Sequence, residues 1–161
     1  MNTSKGLLKF LSLIVLAGLL VSGCAAPATT AETAPTVAPI SAADAMDVSA
    51  PLFINMTTND PHRANMALSF GMKQLDRGHP LTVFLNDLGV YVGSTTNADQ
   101  FAEQQKTIAA LIEKGAKIYI CPMCMEHYGV TKDTVLPNVT VSDPDAIGSH
   151  LFAPNSRTLT W

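Results

Sequence analysis

The sequence lacks several features that would mark common functional classes. Beyond Cys121 and Cys124 there is no second cysteine pair, so a zinc site with four ligands is not expected. Met125 stands where a haem attachment motif would need a histidine. The chain after residue 23 has no basic run, which argues against nucleic-acid binding. The chain has 161 residues, which is enough for one domain with its own hydrophobic core.

The N-terminal segment has the pattern of an export signal. Lys5 and Lys9 flank the start of an apolar run over residues 10–21, which is short for a membrane span. Ser22-Gly23-Cys24 closes the run and resembles a bacterial lipobox. We therefore predict a lipoprotein signal peptide over residues 1–23, with Cys24 as the lipidated N-terminus of the mature chain. An ordinary cleaved signal and an uncleaved anchor are the alternatives.

Export has consequences for charge and for the cysteines. Removal of residues 1–23 takes away two lysines and no acids, so eight basic residues face thirteen acidic ones and the net charge falls from −3 to about −5. Membrane contact must then come from the lipid, which predicts a chain anchored to a bacterial membrane with its domain facing the periplasm. Outside the reducing cytosol, the remaining pair of thiols is open to oxidation.

The mature chain divides into a tether and a domain. Residues 24–50 are rich in Ala, Thr and Pro and have no period, which is typical of an extended linker. Residues 51–161 alternate strand and helix patterns. Strands are predicted at 52–56, 81–85, 116–120, 139–141 and 158–161, and helices at 61–77, 99–114, 122–128 and from 144. The alternation predicts a single three-layer α/β domain: a mostly parallel five-stranded sheet with helices on both faces.

The densest chemistry lies at the third strand's carboxyl end. Cys121 follows that strand, and Pro122 suits the first position of a helix, so Cys121 should cap it and Cys124 should lie one turn along. A helix N-terminus favours thiolate anions, and His127 lies on the same helical face as Cys124. We therefore predict Cys121, Cys124 and His127 as the reactive group, with Glu126 off that face and solvated.

This spacing is compatible with more than one chemistry. Two cysteines in a Cys-x-x-Cys pattern at a helix start are typical of dithiol oxidoreductases. Cys, Met and His are also the ligands that Cu(I) prefers. In the simplest structural interpretation Met123 and Met125 fill gaps in the core, Cys121 is a core residue at a strand end, and His127 lies at the surface.

Polar residues at the ends of the first two strands would share this edge of the sheet. Asn59 and Asn86 are candidates for orienting a substrate. Asp60 is explained by capping the first helix. His62 and Arg63 could hold an anion near the thiols, although exposed side chains are the simpler expectation.

From residue 51 to 161 the domain resembles the DsrE/DsrF-like family of small sulfur-handling proteins. The residues that carry the resemblance are Thr57-Thr58-Asn59-Asp60, Arg63-Ala64, Ala67-Leu68, Gly78, Phe84-Leu85-Asn86, Gly89-Val90, Gly115 and Cys121. The resemblance implies a compact α/β fold, trimers or hexamers, and relay of sulfur as a persulfide on Cys121. Two features differ from the pattern: this chain is predicted to be exported, and Cys124 is an additional thiol.

The prediction is a membrane-tethered thiol protein that handles sulfane sulfur. Cys121 accepts the sulfur, Cys124 assists or resolves the persulfide, and His127 tunes their protonation. No cofactor or resident metal is predicted. The expected partners are a sulfur donor or acceptor protein, or a small sulfur compound. The alternatives are a Cu(I)-binding lipoprotein and a dithiol redox protein using Cys121 and Cys124, or a scaffold with a structural disulfide.

Overall fold

A computed structural model of the chain describes residues 49–161. The predicted signal peptide and lipidated Cys24, with all but the last two residues of the tether, lie outside the described residues. The elements in chain order are β1 (Leu52–Met56), α1 (Pro61–Asp76), β2 (Leu81–Leu85), a first 3-10 helix (Asp87–Tyr91), a second (Thr95–Asn97), α2 (Ala98–Glu113), β3 (Lys117–Ile120), α3 (Pro122–Tyr128), a third 3-10 helix (Lys132–Thr134), β4 (Thr140–Val141), α4 (Pro144–Leu151) and β5 (Arg157–Thr160).

The first helix forms where its capping signals and apolar stripe predict it. The Asp60 carboxylate accepts a hydrogen bond from the Arg63 backbone N–H at 2.8 Å, and Pro61 takes the first helical position. The apolar stripe at helical spacing is buried, at Ala64, Ala67, Leu68 and Gly71. The stripe of α2 is buried in the same way, and Gln104 on it donates to the Pro61 carbonyl at 2.9 Å, tying α2 to the start of α1.

The sheet has five strands in the order β4-β3-β2-β1-β5. A mostly parallel sheet is predicted from the sequence. All strand pairs in the described part of the chain are parallel, so the sheet is fully parallel there. Strand ends shift by one residue at β3, β4 and β5. At β3 the reason is local: the Ala116 N–H bonds to the Leu111 carbonyl at 3.0 Å, so Ala116 closes α2 and the strand begins at Lys117.

Helices cover both faces of the sheet, as predicted. On one face α1 packs so closely that a Cβ on Gly71 would lie 3.0 Å from Ile54 and 3.1 Å from Leu81. On the other face Tyr119 of β3 stacks on His150 of α4 with ring centres 5.4 Å apart. The largest fully buried side chains form the core between α1, α2 and the sheet: Phe101, Ile54, Met56, Leu68, Leu85, Ile108, Leu111 and Ile120.

Parallel pairing brings the ends of β2 and β3 together. Leu85 pairs with Ile120, and the Cys121 N–H extends the ladder to the Leu85 carbonyl at 2.9 Å. The segment after β2 therefore lies beside the turn that carries Cys121, as the parallel topology predicts. Within residues 49–161, no helix has the length and apolar character needed to cross a membrane.

Candidate functional site

Cys121 lies between strand and helix, where the sequence predicts it. Its backbone is extended (φ −75°, ψ 117°), and Pro122 opens α3. Its sulfur caps the helix by accepting the Cys124 backbone N–H at 3.4 Å. The side chain is partly exposed. A sulfur with an amide donor and access to solvent can meet a reagent from outside.

Cys124 has a different environment from Cys121, although both are free thiols. Burial raises the pKa of the Cys124 thiol, and a hydrogen bond with the Cys121 side chain raises it further. A hydrogen bond from the Asp87 backbone lowers this pKa, but by less than the other causes raise it. Cys124 therefore remains protonated when an ordinary thiol begins to ionise, which suits it to give a proton to a neighbour.

The two thiols open into one shared surface depression, which we call the thiol hollow. Its volume is about 540 Å³ and its lining consists of Phe84, Asn86, Asp87, Cys121, Met123, Cys124, His127 and Tyr128. All three predicted reactive residues, Cys121, Cys124 and His127, belong to this lining. The lining mixes sulfur, carboxylate, amide and aromatic groups on two segments, one at the end of β2 and just after it, and one after β3.

Asp87 and Tyr128 join these two segments across the thiol hollow. The Tyr128 hydroxyl donates a hydrogen bond to the Asp87 carboxylate, and this bond raises the pKa of Tyr128. Asp87 lies in the left-handed region with φ of 47°, a conformation that is uncommon in non-glycine residues but that Asp adopts more readily than most. The ring of Tyr128 also packs on Tyr91, with ring centres 5.6 Å apart. Asp87 is thus fixed beside Cys124.

The sequence places Asp87 with Asn86 at this edge, after the second strand, but indicates no role for it, and Tyr128 was not predicted. Tyr128 had a usable signal, because it lies four residues after Cys124 and so on the same face of α3.

His127 lines the thiol hollow but is exposed, and its ring meets Tyr128 edge-on with centres 4.6 Å apart. Among the hydrogen bonds of residues 49–161, none joins His127 to a sulfur. His127 thus shares the thiol hollow with both cysteines but does not pair with either sulfur in the described part of the chain.

The two methionines of the motif have opposite environments. Met125 is buried in the core at 3% exposure, as predicted. Met123 was predicted to pack in the core as well, and this is wrong: it is 78% exposed. Position 123 lies in the first turn of α3. Glu126 is exposed, as expected.

The two candidate asparagines separate in the structure. Asn86 lines the thiol hollow and donates a hydrogen bond to the side chain of Asn55. Asn59 is half-buried after β1 and is not part of that lining. His62 and Arg63 are exposed and also lie outside it, so the simpler expectation holds for them.

Cys121 also borders a second depression, which we call the apolar hollow. It has a volume of about 210 Å³ and is lined by Phe84, Cys121, Pro122, Met123, Ser142, Asp143, Pro144 and Ile147. It lies between α3 and the start of α4, so the same sulfur borders a polar and an apolar space. The described part of the chain contains no cluster of three or more Cys, His, Asp or Glu side chains suited to hold a metal ion.

The fold and site define a class: a parallel α/β domain with a cysteine at the carboxyl end of an interior strand, capping the helix that follows. A family model for the DsrE/DsrF-like family matches residues 28–152, so the chain belongs to that family. Membership suggests a role related to sulfur relay.

One protein is similar to this chain in sequence, and two solved structures are similar to it in fold. An uncharacterized protein of Methanopyrus kandleri, MK0008, is 27% identical over 81 residues, which cover 50% of this chain and 67% of that protein. MTH1491 of Methanobacterium thermoautotrophicum, a protein of unknown function, superposes with a TM-score of 0.59 at 15% identity, over 70% of this chain and all (100%) of that one. BT1422 of Bacteroides thetaiotaomicron, also a protein of unknown function, superposes with a TM-score of 0.54 at 20% identity. The match covers 69% of this chain and 94% of that one. At these identities the two structures show the fold alone.

Proposed function

We propose that the protein is a sulfur carrier or sulfurtransferase-like protein that takes up sulfane sulfur on Cys121. The observation that carries this proposal is the pairing of a partly exposed sulfur, capped by an amide at 3.4 Å, with a second thiol that remains protonated. Membership of the DsrE/DsrF-like family supports the same role.

The proposed uptake step is a transfer between sulfur atoms. The Cys121 thiolate attacks the outer sulfur of a donor persulfide, forming a new S–S bond while the donor's S–S bond breaks. The donor leaves as a thiolate and takes a proton from the Cys124 thiol or from water. No electrons enter or leave, so this step needs no external oxidant or reductant.

Cys124 allows two fates for the bound sulfur. An acceptor thiolate can attack the outer sulfur and carry it away, which returns Cys121 to a thiolate. Alternatively, ionised Cys124 attacks the inner sulfur, releasing hydrosulfide and leaving a Cys121–Cys124 disulfide. The sulfane sulfur is then reduced as the two thiols are oxidised, and a reducing dithiol must restore them.

The test is mass spectrometry of the purified protein after exposure to an organic persulfide. We expect one added sulfur on Cys121 and none in the Cys121→Ser variant. Cys124→Ser is the matched control, because it should still load Cys121 but should not form the disulfide. Loading that is unchanged by Cys121→Ser would contradict the proposal.

A dithiol redox protein is the second candidate, favoured by the hydrogen bond between the two cysteine side chains. Its measure is the reduction potential of the pair, since structural disulfides lie below about −300 mV and redox-active ones above. Thiol redox activity without any persulfide on Cys121 would select this candidate.

We also propose that the protein is anchored through a lipid on Cys24, with the domain on the periplasmic side of a bacterial membrane. The basis is the signal-like N-terminal sequence. Labelled fatty acid should appear on the wild-type protein and be lost in Cys24→Ala, which should leave the membrane fraction. A membrane-bound Cys24→Ala chain would indicate an uncleaved anchor instead.

A further inference from the structure

We infer that the sulfur donor is an organic persulfide with a small apolar substituent that carries no negative charge, because Cys121 lies between an apolar hollow and two carboxylates. This inference rests on the proposed function and names its substrate class. It follows from the charges around the sulfur, from the backbone amides that are already occupied, and from the size of the apolar hollow.

Both depressions beside Cys121 carry a carboxylate and no strong cation. Asp87 lines the thiol hollow and Asp143 lines the apolar hollow. Neither lining includes a lysine or an arginine. Sites for sulfur oxyanions or carboxylates are built from such cations, which make charge-assisted hydrogen bonds. An anionic donor would instead meet like charge on either side of the attacking sulfur.

Two of the backbone amides at the helix starts beside Cys121 already have partners. The Ala146 N–H at the start of α4 donates to the Asp143 carboxylate at 2.8 Å. The Cys124 N–H at the start of α3 donates to the Cys121 sulfur. His127 is the one remaining side chain in either lining that could carry positive charge, so its contribution has to be measured.

The apolar hollow indicates what the donor does carry. Phe84, Met123 and Ile147 line it together with two prolines. Its volume of about 210 Å³ is below the range of roughly 300–1,000 Å³ typical of ligand pockets, so it suits a short substituent rather than a large cofactor-like group. A donor seated there places its S–S bond beside Cys121.

The reaction is the balanced transfer described above. The Cys121 thiolate bonds to the outer sulfur, the donor's S–S bond breaks, and the departing thiolate takes a proton from Cys124 or water. The apolar substituent lies against Met123 and Ile147 throughout.

A matched series of donors tests this inference on the wild-type protein. Propyl, carboxyethyl and aminoethyl persulfides share the reacting sulfurs and differ in the charge of the substituent. We expect the carboxyethyl donor to load Cys121 about five-fold more slowly than the propyl donor, since unit like charges a few ångströms apart in water interact by about that factor. Added salt should narrow the difference. Initial rates come from mass spectrometry of Cys121.

Three variants and one control separate the effects of the carboxylate, the apolar contact and the histidine. Asp143→Asn keeps the helix cap but removes the charge, so it should narrow the gap between carboxyethyl and propyl donors. Met123→Gln should slow the propyl donor by about three-fold through lost apolar contact. Met66→Gln is its control, because Met66 is also exposed but lines neither hollow. His127→Gln should leave the order of donors unchanged.

The outcomes distinguish failure of the inferred donor class from failure of the proposed function. Equal rates for all donors, or a faster carboxyethyl donor, would overturn the donor class while leaving Cys121 as the acceptor. If no donor loads Cys121, the proposed function itself fails. If His127→Gln reverses the order, the histidine rather than the carboxylates selects the donor, and the inference is wrong.

Discussion

At the scale of single residues, the two thiols of the motif are not equivalent. Cys121 is partly exposed and caps α3, whereas the environment of Cys124 keeps it protonated. Burial is the main cause of the raised pKa of Cys124, followed by the hydrogen bond with the Cys121 side chain. Asp87 acts in both directions, because its backbone hydrogen bond lowers this pKa and its carboxylate raises it. The position of Asp87 is held by Tyr128. The difference between the two thiols therefore comes mainly from burial and from the contact between them.

This difference predicts selective alkylation. Because the thiolate is the reactive form, iodoacetamide at neutral pH should label Cys121 faster than Cys124. Labelling of Cys124 should rise as the pH is increased. Peptide mass spectrometry over time measures both rates in one sample, and faster labelling of Cys124 at neutral pH would reverse the proposed roles.

The raised pKa of Cys124 also predicts a pH dependence of stability. Above the ordinary thiol pKa of 9.0 the unfolded chain ionises before the folded one, so unfolding releases a proton and the free energy of unfolding falls as the pH rises. Cys124→Ser removes this titration. The urea midpoint of the variant, measured under reducing conditions, should therefore fall less steeply between about pH 8 and 10 than that of the wild type.

Parallel pH profiles for the two proteins would contradict this assignment. Tyr128, whose pKa is also raised above its ordinary value of 10.0, titrates in both proteins. Cys124 is a lesser cause of that shift than the hydrogen bond to Asp87 and burial, so Tyr128 contributes little to the difference between the two profiles.

At the scale of elements, the site depends on the close approach of the first 3-10 helix to β1. Gly89 permits this approach, since a Cβ there would lie 2.2 Å from the Met56 carbonyl oxygen. The same carbonyl accepts the Asn86 N–H at 3.0 Å. The turn that carries Asn86 and Asp87 is thereby fixed to the end of the sheet, next to the turn that carries Cys121.

Gly89→Ala should therefore destabilise the protein by about 1–3 kcal/mol, the usual cost of overpacking against a fixed neighbour. Gly148→Ala in α4 is the control. A Cβ there meets nothing within 4 Å, and alanine should stabilise this helix by about 0.5–1 kcal/mol. Denaturant unfolding measures both. A neutral Gly89→Ala would show that the 3-10 helix moves freely relative to β1.

At the scale of the whole molecule, a fully parallel sheet brings every strand's carboxyl end to one edge. That edge holds the thiol hollow, while β5 forms one lateral border of the sheet and is exposed throughout. Leu159 of β5 and Phe70 of α1 are exposed apolar residues at this border, at 37% and 40%. An exposed apolar edge of this kind is a surface on which copies of a chain associate.

We propose that the protein forms a homo-oligomer, either a trimer or a hexamer, as its resemblance to the DsrE/DsrF-like family implies. Sedimentation or light scattering should give a mass of three or six chains. Leu159→Lys should shift the distribution toward smaller species. Thr140→Lys on β4, at the opposite border, is the matched control and should not. A monomer at every concentration would contradict the proposal.

Sequence alone was sufficient for the order of strands and α-helices, the cap at Asp60, the start of α4 at residue 144, and the position of Cys121 between β3 and α3. These features are set by local signals: apolar periodicity, capping side chains and prolines at helix starts. It was also sufficient for the fold class, because alternating strands and helices leave few topologies. Only the tertiary structure decided that Met123 faces solvent, that Asn86 and not Asn59 joins the site, and that Asp87 and Tyr128 complete it. Those outcomes depend on which segments distant in sequence meet at the sheet edge, and periodicity carries no information about such meetings.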